Sequence, residues 1–161
     1  DRSAIAADAS IVEPALAGRP GTPAFELLGL QASAGTSGVA TALVTLRGPS
    51  GPRTETATGN GPVHAVYNAI DRVTRRSGAV VSYSAKSVAR GRDAAAAVFL
   101  RVEFDGELRI SGAVDCDIIH ASARAYLGAV NGALAADAVR IEDLEYDALT
   151  RHASDSFGDW T

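Results

Sequence analysis

The residues best suited to recognise a ligand lie at two points of the chain, each just before a predicted helix. At the first point the sequence reads TGNGP over residues 58–62, and at the second it reads DCD over residues 115–117. Glycine lets a backbone approach a ligand closely, and the N–H groups at the start of a helix attract anions. Asn60 adds an amide that both donates and accepts hydrogen bonds. The first point therefore predicts an anion site, with a simple tight turn as the alternative.

The second point is acidic, because Asp115 and Asp117 flank Cys116. Two carboxylates beside a helix start either bind an ammonium group or cap the helix. An anion site at one helix start and an acidic group at the other would together fit a zwitterion. Capping alone is the alternative interpretation.

Catalytic and metal-ion chemistry have little support in the sequence. Cys116 lies four residues before His120, so a cysteine–histidine nucleophile pair is conceivable. His64 occupies the position in the first predicted helix that His120 occupies in the second. No third orienting group or oxyanion donor is evident, and capping explains the nearby acids better than metal ligation. The TGNGP run also lacks the Lys-Ser/Thr of a phosphate-binding P-loop. We therefore predict no catalytic residue, no metal and no cofactor in this chain.

Length and composition exclude several classes of protein. The 161 residues are 47% hydrophobic and carry a formal net charge of −4, which is typical of one globular domain. No basic cluster indicates a nucleic acid or an anionic membrane surface, and no apolar stretch is long enough to span a bilayer. A single cysteine excludes an internal disulfide and predicts a reducing, cytoplasmic location. The absence of methionine predicts a piece of a longer chain.

The elements that must hold these residues repeat along the chain. A short strand, a longer strand, a turn, a third strand and a helix occur twice, the helices over Pro62–Arg76 and Asp117–Leu134. The offset is constant: 56 residues separate His64 from His120 (120 − 64 = 56). We predict an α+β fold of two consecutive β-β-β-α units with pseudo-twofold symmetry, over about 24–78 and 79–136. Chance similarity between two ordinary segments is the alternative.

Short flanking segments complete the predicted organisation. Residues 1–23 read as a linker or subdomain remnant with a short amphipathic stretch, and 137–161 read as a C-terminal helix followed by a polar tail. The late helix is expected over Val139–Leu149. The tail from His152 onwards is expected to be polar and mobile.

Several runs resemble one family. FELLGLQASAG, ATALVTL, TATGNGPVHAVYNAIDRV, GRDA and DIIHASARAYLGAVN are similar to the C-terminal regulatory domain of 2-isopropylmalate synthase, a leucine-sensing dimer domain also present in citramalate synthase. The resemblance runs from about Phe25 to Leu134 and includes both units. It implies a homodimer and a feedback amino acid bound near the unit junctions. It also implies a catalytic barrel elsewhere in the parent chain, joined through a subdomain that residues 1–23 resemble.

The resemblance also implies a set of ligand-binding positions. By position, the family's ligand loop corresponds to Gly59, Asn60, Gly61, Pro62, Val63 and His64, its side-chain pocket to Tyr83, Ser87 and Ala94, and its second helix entrance to Val114, Cys116 and Asp117. Three departures lie at the rim of this pocket. Asp115-Cys116-Asp117 replaces Ser/Ala-Thr-Asp, His64 replaces a common Asp, and His120 stands where Glu is common, so the ligand need not be leucine.

These observations predict an amino-acid-sensing and dimerisation domain whose ligand is a branched-chain amino acid or related zwitterion. If His64 contacts the ligand carboxylate, affinity should rise as the pH falls through the histidine range. Two alternatives stay open: a free-standing descendant whose pocket serves another ligand or reaction, and a dimerisation module with no ligand. With histidines only at 64, 120 and 152, this chain alone should not carry the acyltransferase chemistry of the family.

Overall fold

The structure, a computed structural model, describes residues 23–36, 38–88 and 94–157. The predicted linker before residue 23, most of the GRDA turn and the last four residues lie outside these ranges. Eight elements follow one another in the described residues: β1 (Glu26–Ser33), β2 (Ala40–Gly48), β3 (Gly51–Gly59), α1 (Pro62–Thr74), β4 (Ala79–Ser87), β5 (Ala96–Phe104), β6 (Glu107–Asp115) and α2 (Ile118–Phe157).

Two antiparallel three-stranded sheets, ordered β1-β2-β3 and β4-β5-β6, are each followed by one helix, so the α+β prediction is confirmed. The sheets match in detail as well as in order. Each first strand has an irregularity in its pairing at the equivalent place, between Leu27 and Gly29 and between Val80 and Ser82. Such a bulge bends an edge strand and discourages further pairing. The shared defect supports the pseudo-twofold relation of the two units.

The central strand of each sheet turns alternate side chains toward the helices. In β2 these inward residues are small or aliphatic, and in β5 they include Leu100 and Phe104, all at most 3% exposed. Each helix packs on its own sheet and the two helices pack on each other, so the units share one hydrophobic core. The opposite sheet faces leave large apolar side chains exposed, among them Leu43, Phe99 and Ile110.

Helix α2 is longer than the sequence analysis predicted. The segments expected as separate helices, to Leu134 and from Val139, form one continuous helix that extends to Phe157. The joining residues are alanine-rich and contain no proline, so nothing in the backbone interrupts the helix. Asp137 and Arg140 also tie this stretch to the body through ion pairs with Arg76 and Glu107. The polar tail is thus helical as far as residue 157. Among the described residues, no helix is both long and apolar enough to cross a membrane.

The connection between the units is tightly packed at Gly78. A Cβ added at Gly78 would lie 2.5 Å from side-chain atoms of both Val102 and Phe104. We expect Gly78→Ala to lower the free energy of unfolding by about 1–3 kcal/mol, because a packed core must shift. Gly132→Ala, inside α2 with no atom within 4 Å of the added methyl group, should instead raise it by about 0.5–1 kcal/mol. Guanidinium chloride unfolding measures both, and equal effects of the two substitutions would contradict this packing.

Candidate functional site

The start of α1 is held close to its own loop but has no side-chain cap. A Cβ at Gly59 would lie 2.5 Å from the Ala65 nitrogen, so the loop requires glycine there. Gly61 is the N-cap in an extended conformation, its carbonyl accepts the Ala65 N–H, and no side chain caps the helix. Pro62 has no N–H group to satisfy. Among the described residues, the backbone N–H groups of Val63 and His64 therefore have no cap, and such groups attract anions.

His64 has a structural role that the sequence analysis did not assign. Its Nδ1 atom lies 3.1 Å from the Asn60 nitrogen and accepts that backbone N–H. His64 is the third helical residue, the place from which an acidic side chain reaches back in a capping box. With Nδ1 as the acceptor, a neutral ring carries its hydrogen on Nε2, which lies 3.5 Å from the Asn68 amide nitrogen.

The start of α2 is capped by its own side chains. Asp117 Oδ1 accepts the Ile119 N–H at 2.8 Å, and Asp115 Oδ1 accepts the Asp117 N–H at 3.0 Å. The second Asp115 oxygen lies 3.6 Å from Arg124. Capping, the alternative to ammonium binding in the sequence analysis, is therefore the arrangement found at this entrance.

The two entrances are otherwise built alike. Asn68 donates to the Thr58 carbonyl at 2.9 Å, and Arg124 donates to the Val114 carbonyl at 3.0 Å. The two donors, Asn68 and Arg124, are 56 residues apart (124 − 68 = 56), and so are the two acceptors, Thr58 and Val114 (114 − 58 = 56), so the two clamps are equivalent. By the same offset, Gly61 corresponds to Asp117. The entrances therefore differ in whether the helix start carries its own carboxylate.

A cavity of about 610 Å³ lies beside the open entrance, between α1, β4 and one residue of α2. Its lining combines aliphatic and aromatic surface with a few polar groups: Val63, His64, Tyr67, Asn68, Asp71, Ser77, Gly78, Val80, Tyr83 and Tyr126. A mainly apolar cavity with a small number of placed polar groups is typical of a small-molecule site. This cavity and the adjacent α1 entrance form the candidate site.

Asp71 is the centre of the polar part of the cavity. The Tyr126 hydroxyl donates to one carboxylate oxygen at 2.5 Å, and the Ser77 hydroxyl donates to the other at 3.0 Å. The Gly78 N–H donates to the same tyrosine oxygen at 3.1 Å. Burial raises the pKa of Asp71 above its usual value, although both hydroxyl bonds oppose that rise. Burial and the neighbouring Asp71 also raise the pKa of Tyr126. This network joins α1, α2 and the connection between the units.

The predicted site residues are only partly brought together. Val63, His64 and Tyr83 line the cavity, and residues 59–62 form the loop that leads into it. Ser87 ends β4, and Ala94 follows the undescribed residues 89–93. Val114, Cys116 and Asp117 lie at the other entrance, where Asp117 lines a second cavity of about 630 Å³ with His120. Cys116 is exposed and lines neither cavity.

The sequence analysis missed Asp71, Ser77 and Tyr126 as cavity residues. Tyr67 of α1 and Tyr126 of α2 stack with their ring centroids 4.4 Å apart. The spacing of residues along each helix does not indicate that these two rings meet. Within the described residues, no group of three or more His, Cys, Asp or Glu side chains is placed to hold a metal ion.

The fold and the two unequal entrances define a pseudo-symmetric α+β domain with one uncapped, cavity-facing helix start. Residues 7–134 match the family model of the LeuA allosteric (dimerisation) domain, and the chain belongs to this family. It is 44% identical over 113 residues to the 2-isopropylmalate synthase of Synechocystis sp., which covers 70% of this chain and 21% of that enzyme. With the 2-isopropylmalate synthase of Gloeobacter violaceus the identity is 45% over 109 residues, covering 67% and 20%.

A third relative, the 2-isopropylmalate synthase of Gloeothece citriformis, is 40% identical over 127 residues, which cover 78% of this chain and 24% of the enzyme. The chain thus spans about a fifth to a quarter of the length of these curated relatives. The resemblance identified from the sequence is confirmed at the level of the domain.

The buried carboxyl group of Asp71 predicts a pH dependence of stability. Because its pKa is raised in the folded state, the folded protein holds this proton more tightly than the unfolded chain does. The stability of the wild type relative to Asp71→Asn should therefore fall as the pH rises above 3.8 toward the folded-state pKa, and then stay constant. Guanidinium chloride unfolding between pH 4 and pH 7 measures this difference.

Asp105→Asn, at an exposed ion pair with Arg76, is the control for a surface carboxylate. A difference between wild type and Asp71→Asn that rises with pH would contradict the assignment, because it would indicate a carboxylate stabilised by folding.

Proposed function

We propose that this domain binds a branched-chain amino acid of the leucine type at the α1 entrance and acts as a regulatory, dimer-forming domain. The ligand carboxylate would accept the backbone N–H groups of Val63 and His64, with the Nε2–H of His64 as a further donor. The apolar side chain would lie against Val63, Val80 and the tyrosine rings of the cavity. Asn68, whose Nδ2 is held by the Thr58 carbonyl, offers its amide oxygen to the ammonium group.

One observation carries this proposal: the same helix start occurs twice, and in one copy a carboxylate occupies it. Asp117 Oδ1 accepts the Ile119 N–H, and Ile119 is equivalent to Val63 by the offset of 56. Gly61, the equivalent of Asp117, has no side chain, so the same N–H group is left for an external acceptor. The chain itself therefore indicates that a carboxylate fits this position. The helix dipole favours the same charge.

The proposal extends to a homodimer. Each sheet is covered by helices on one face only, and the other face exposes Phe99, Leu108 and Ile110 in the second unit. Apolar side chains grouped on one sheet face favour association with a second protein surface. The family description as a dimerisation domain supports a second copy of this chain as the partner.

A parent protein of the kind seen in the relatives would add a catalytic barrel and the acyltransferase reaction of leucine biosynthesis, in the cytoplasm. The amino acid would then act on that distant site by preferring one arrangement of the dimer over another.

A substitution that transfers the α2 cap to α1 tests this function. Gly61→Asp should raise the melting temperature, because an aspartate N-cap stabilises a helix start. It should also abolish leucine binding measured by calorimetry, because the new carboxylate occupies the ligand position and repels the ligand carboxylate. Gly61→Ala is the control, since its methyl group meets no atom within 4 Å and brings no charge, and it should retain binding.

Two results would contradict the proposal. The first is unchanged leucine affinity in a Gly61→Asp variant whose melting temperature has risen. The second is that leucine, isoleucine and valine all fail to bind the wild type at millimolar concentration.

A further inference from the structure

Helix α2 continues well past the part of the chain that the family model matches. That match ends at residue 134, whereas the helix ends at Phe157. Asp137 and Arg140 pair with Arg76 and Glu107 at the end of the body. Beyond Arg140, every side chain that the structure describes is exposed. Residues 141–157, named the α2 extension below, therefore form a helical arm outside the matched domain.

The core-facing side of α2 does not stop where the body stops. The side chains of this face follow one another at intervals of three or four residues, in the order Tyr126, Val130, Ala133, Asp137, Ile141 and Leu144. The first three are at most 2% exposed, whereas Ile141 is 58% and Leu144 is 67% exposed. A helix face that is apolar along its length is typical of one that packs along its length. The end of this face therefore lacks the cover that its beginning has.

The α2 extension also differs from the rest of the chain in charge. Its sequence holds five acidic residues and one arginine, which gives 1 − 5 = −4. The remaining residues hold 14 basic and 14 acidic side chains, so the whole formal net charge of the chain lies in the extension. Two such extensions packed on each other would bring like charges together, which is unfavourable. A surface that is apolar and carries basic groups fits the extension better.

The outer face of the second sheet, turned away from α2, is such a surface. The strand register places Arg101 opposite Ile110, and Lys86 opposite Ala97, on the same face as Phe99. Glu103 is the acid on this face. The exposed apolar side chains here are Phe99, Leu108 and Ile110. Apolar groups beside two basic side chains complement an acidic helix with an apolar face.

We propose that the α2 extension is an exchanged arm, which packs through Ile141 and Leu144 onto the outer face of the second sheet of a second copy of this chain. The inference rests on the homodimer of the proposed function and specifies its interface. The exchange is reciprocal, because a twofold axis that places one extension on the partner's sheet also places the partner's extension on the first sheet.

Two features of the fold make the partner's sheet the receiver. Helix α2 packs on the inner face of β5 and β6, so a continuous helix cannot reach the outer face of its own sheet. The lengths also agree. The 17 residues of the extension span about 25 Å as a helix, and a nine-residue strand such as β5 spans about 30 Å. The arm can therefore lie across the whole outer face.

Substitutions on the two sides of the arm test its docking. Ile141→Ser combined with Leu144→Ser should raise the dimer dissociation constant at least tenfold, because two aliphatic side chains lose their burial. Val139→Ser is the matched control, since Val139 is exposed on the other side of the same helix, and it should change the constant less than about twofold. Sedimentation velocity measures the constants, and circular dichroism verifies that the helix content is retained. Equal effects of the two changes would overturn the proposal.

Chemical cross-linking identifies what the arm contacts. In a Cys116→Ser background, a flexible bifunctional maleimide should link two chains only when Ile110→Cys and Leu144→Cys are present together. Linked dimers of the Leu144→Cys variant alone would show that the arms pack on each other, and linked dimers of Ile110→Cys alone would show that the sheets do. Either result would overturn the exchange, as would a dimeric double variant that forms no link. A monomeric wild type would instead refute the proposed homodimer itself, so the two failures are distinguishable.

Discussion

A helix leaves its first N–H groups without partners inside the helix, and the chain meets this constraint twice in different ways. At α2 the Asp117 carboxylate supplies the acceptor. At α1 the equivalent residue is Gly61, and only the Asn60 N–H of the preceding loop is satisfied, by the His64 ring. At both entrances a helix side chain, Asn68 or Arg124, donates to a backbone carbonyl at the end of the preceding strand, so the missing carboxylate is a local difference between two similar entrances. The candidate site follows from that difference.

The cavity beside α1 is lined by residues of both units. Its lining comes from α1 of the first unit and from β4 and α2 of the second. Tyr126 and Ser122, both on α2, hold Asp71 and Tyr83 on opposite parts of the wall. Because the Tyr126–Asp71 bond joins α2 to α1, a ligand that moved either side chain would also act on the packing between the helices. A coupling of this kind is what a regulatory domain requires.

Much of the fold was predictable because it follows from local rules and from repetition. The offset of 56 residues predicted the two units, and strand and helix periodicity predicted the elements with small errors at their ends. The single long α2 was missed because a separate late helix was expected over Val139–Leu149, whereas no proline or glycine between Leu134 and Val139 stops the preceding helix.

The candidate site was predictable only where it is local in the sequence. The loop before α1 carried its own signal, and Tyr83 came from the family resemblance. Asp71 and Tyr126 meet through a contact between the units, and Ser122 meets Tyr83 through a contact between α2 and β4. Hydrophobic periodicity contains no information about such contacts. His64 was expected to be a ligand group, and the structure adds a second role, as acceptor for the loop backbone.

The difference between the two helix entrances is the central claim, and amide NMR spectroscopy tests it most directly. Leucine should be titrated into the ¹⁵N-labelled protein while the backbone amide signals at the two helix starts are followed. The account predicts downfield shifts of the Val63 and His64 amide protons, because they gain a carboxylate acceptor, and no change at Ile119 and His120, whose entrance carries its own cap. Shifts at Ile119 and His120 with none at Val63 and His64 would contradict it.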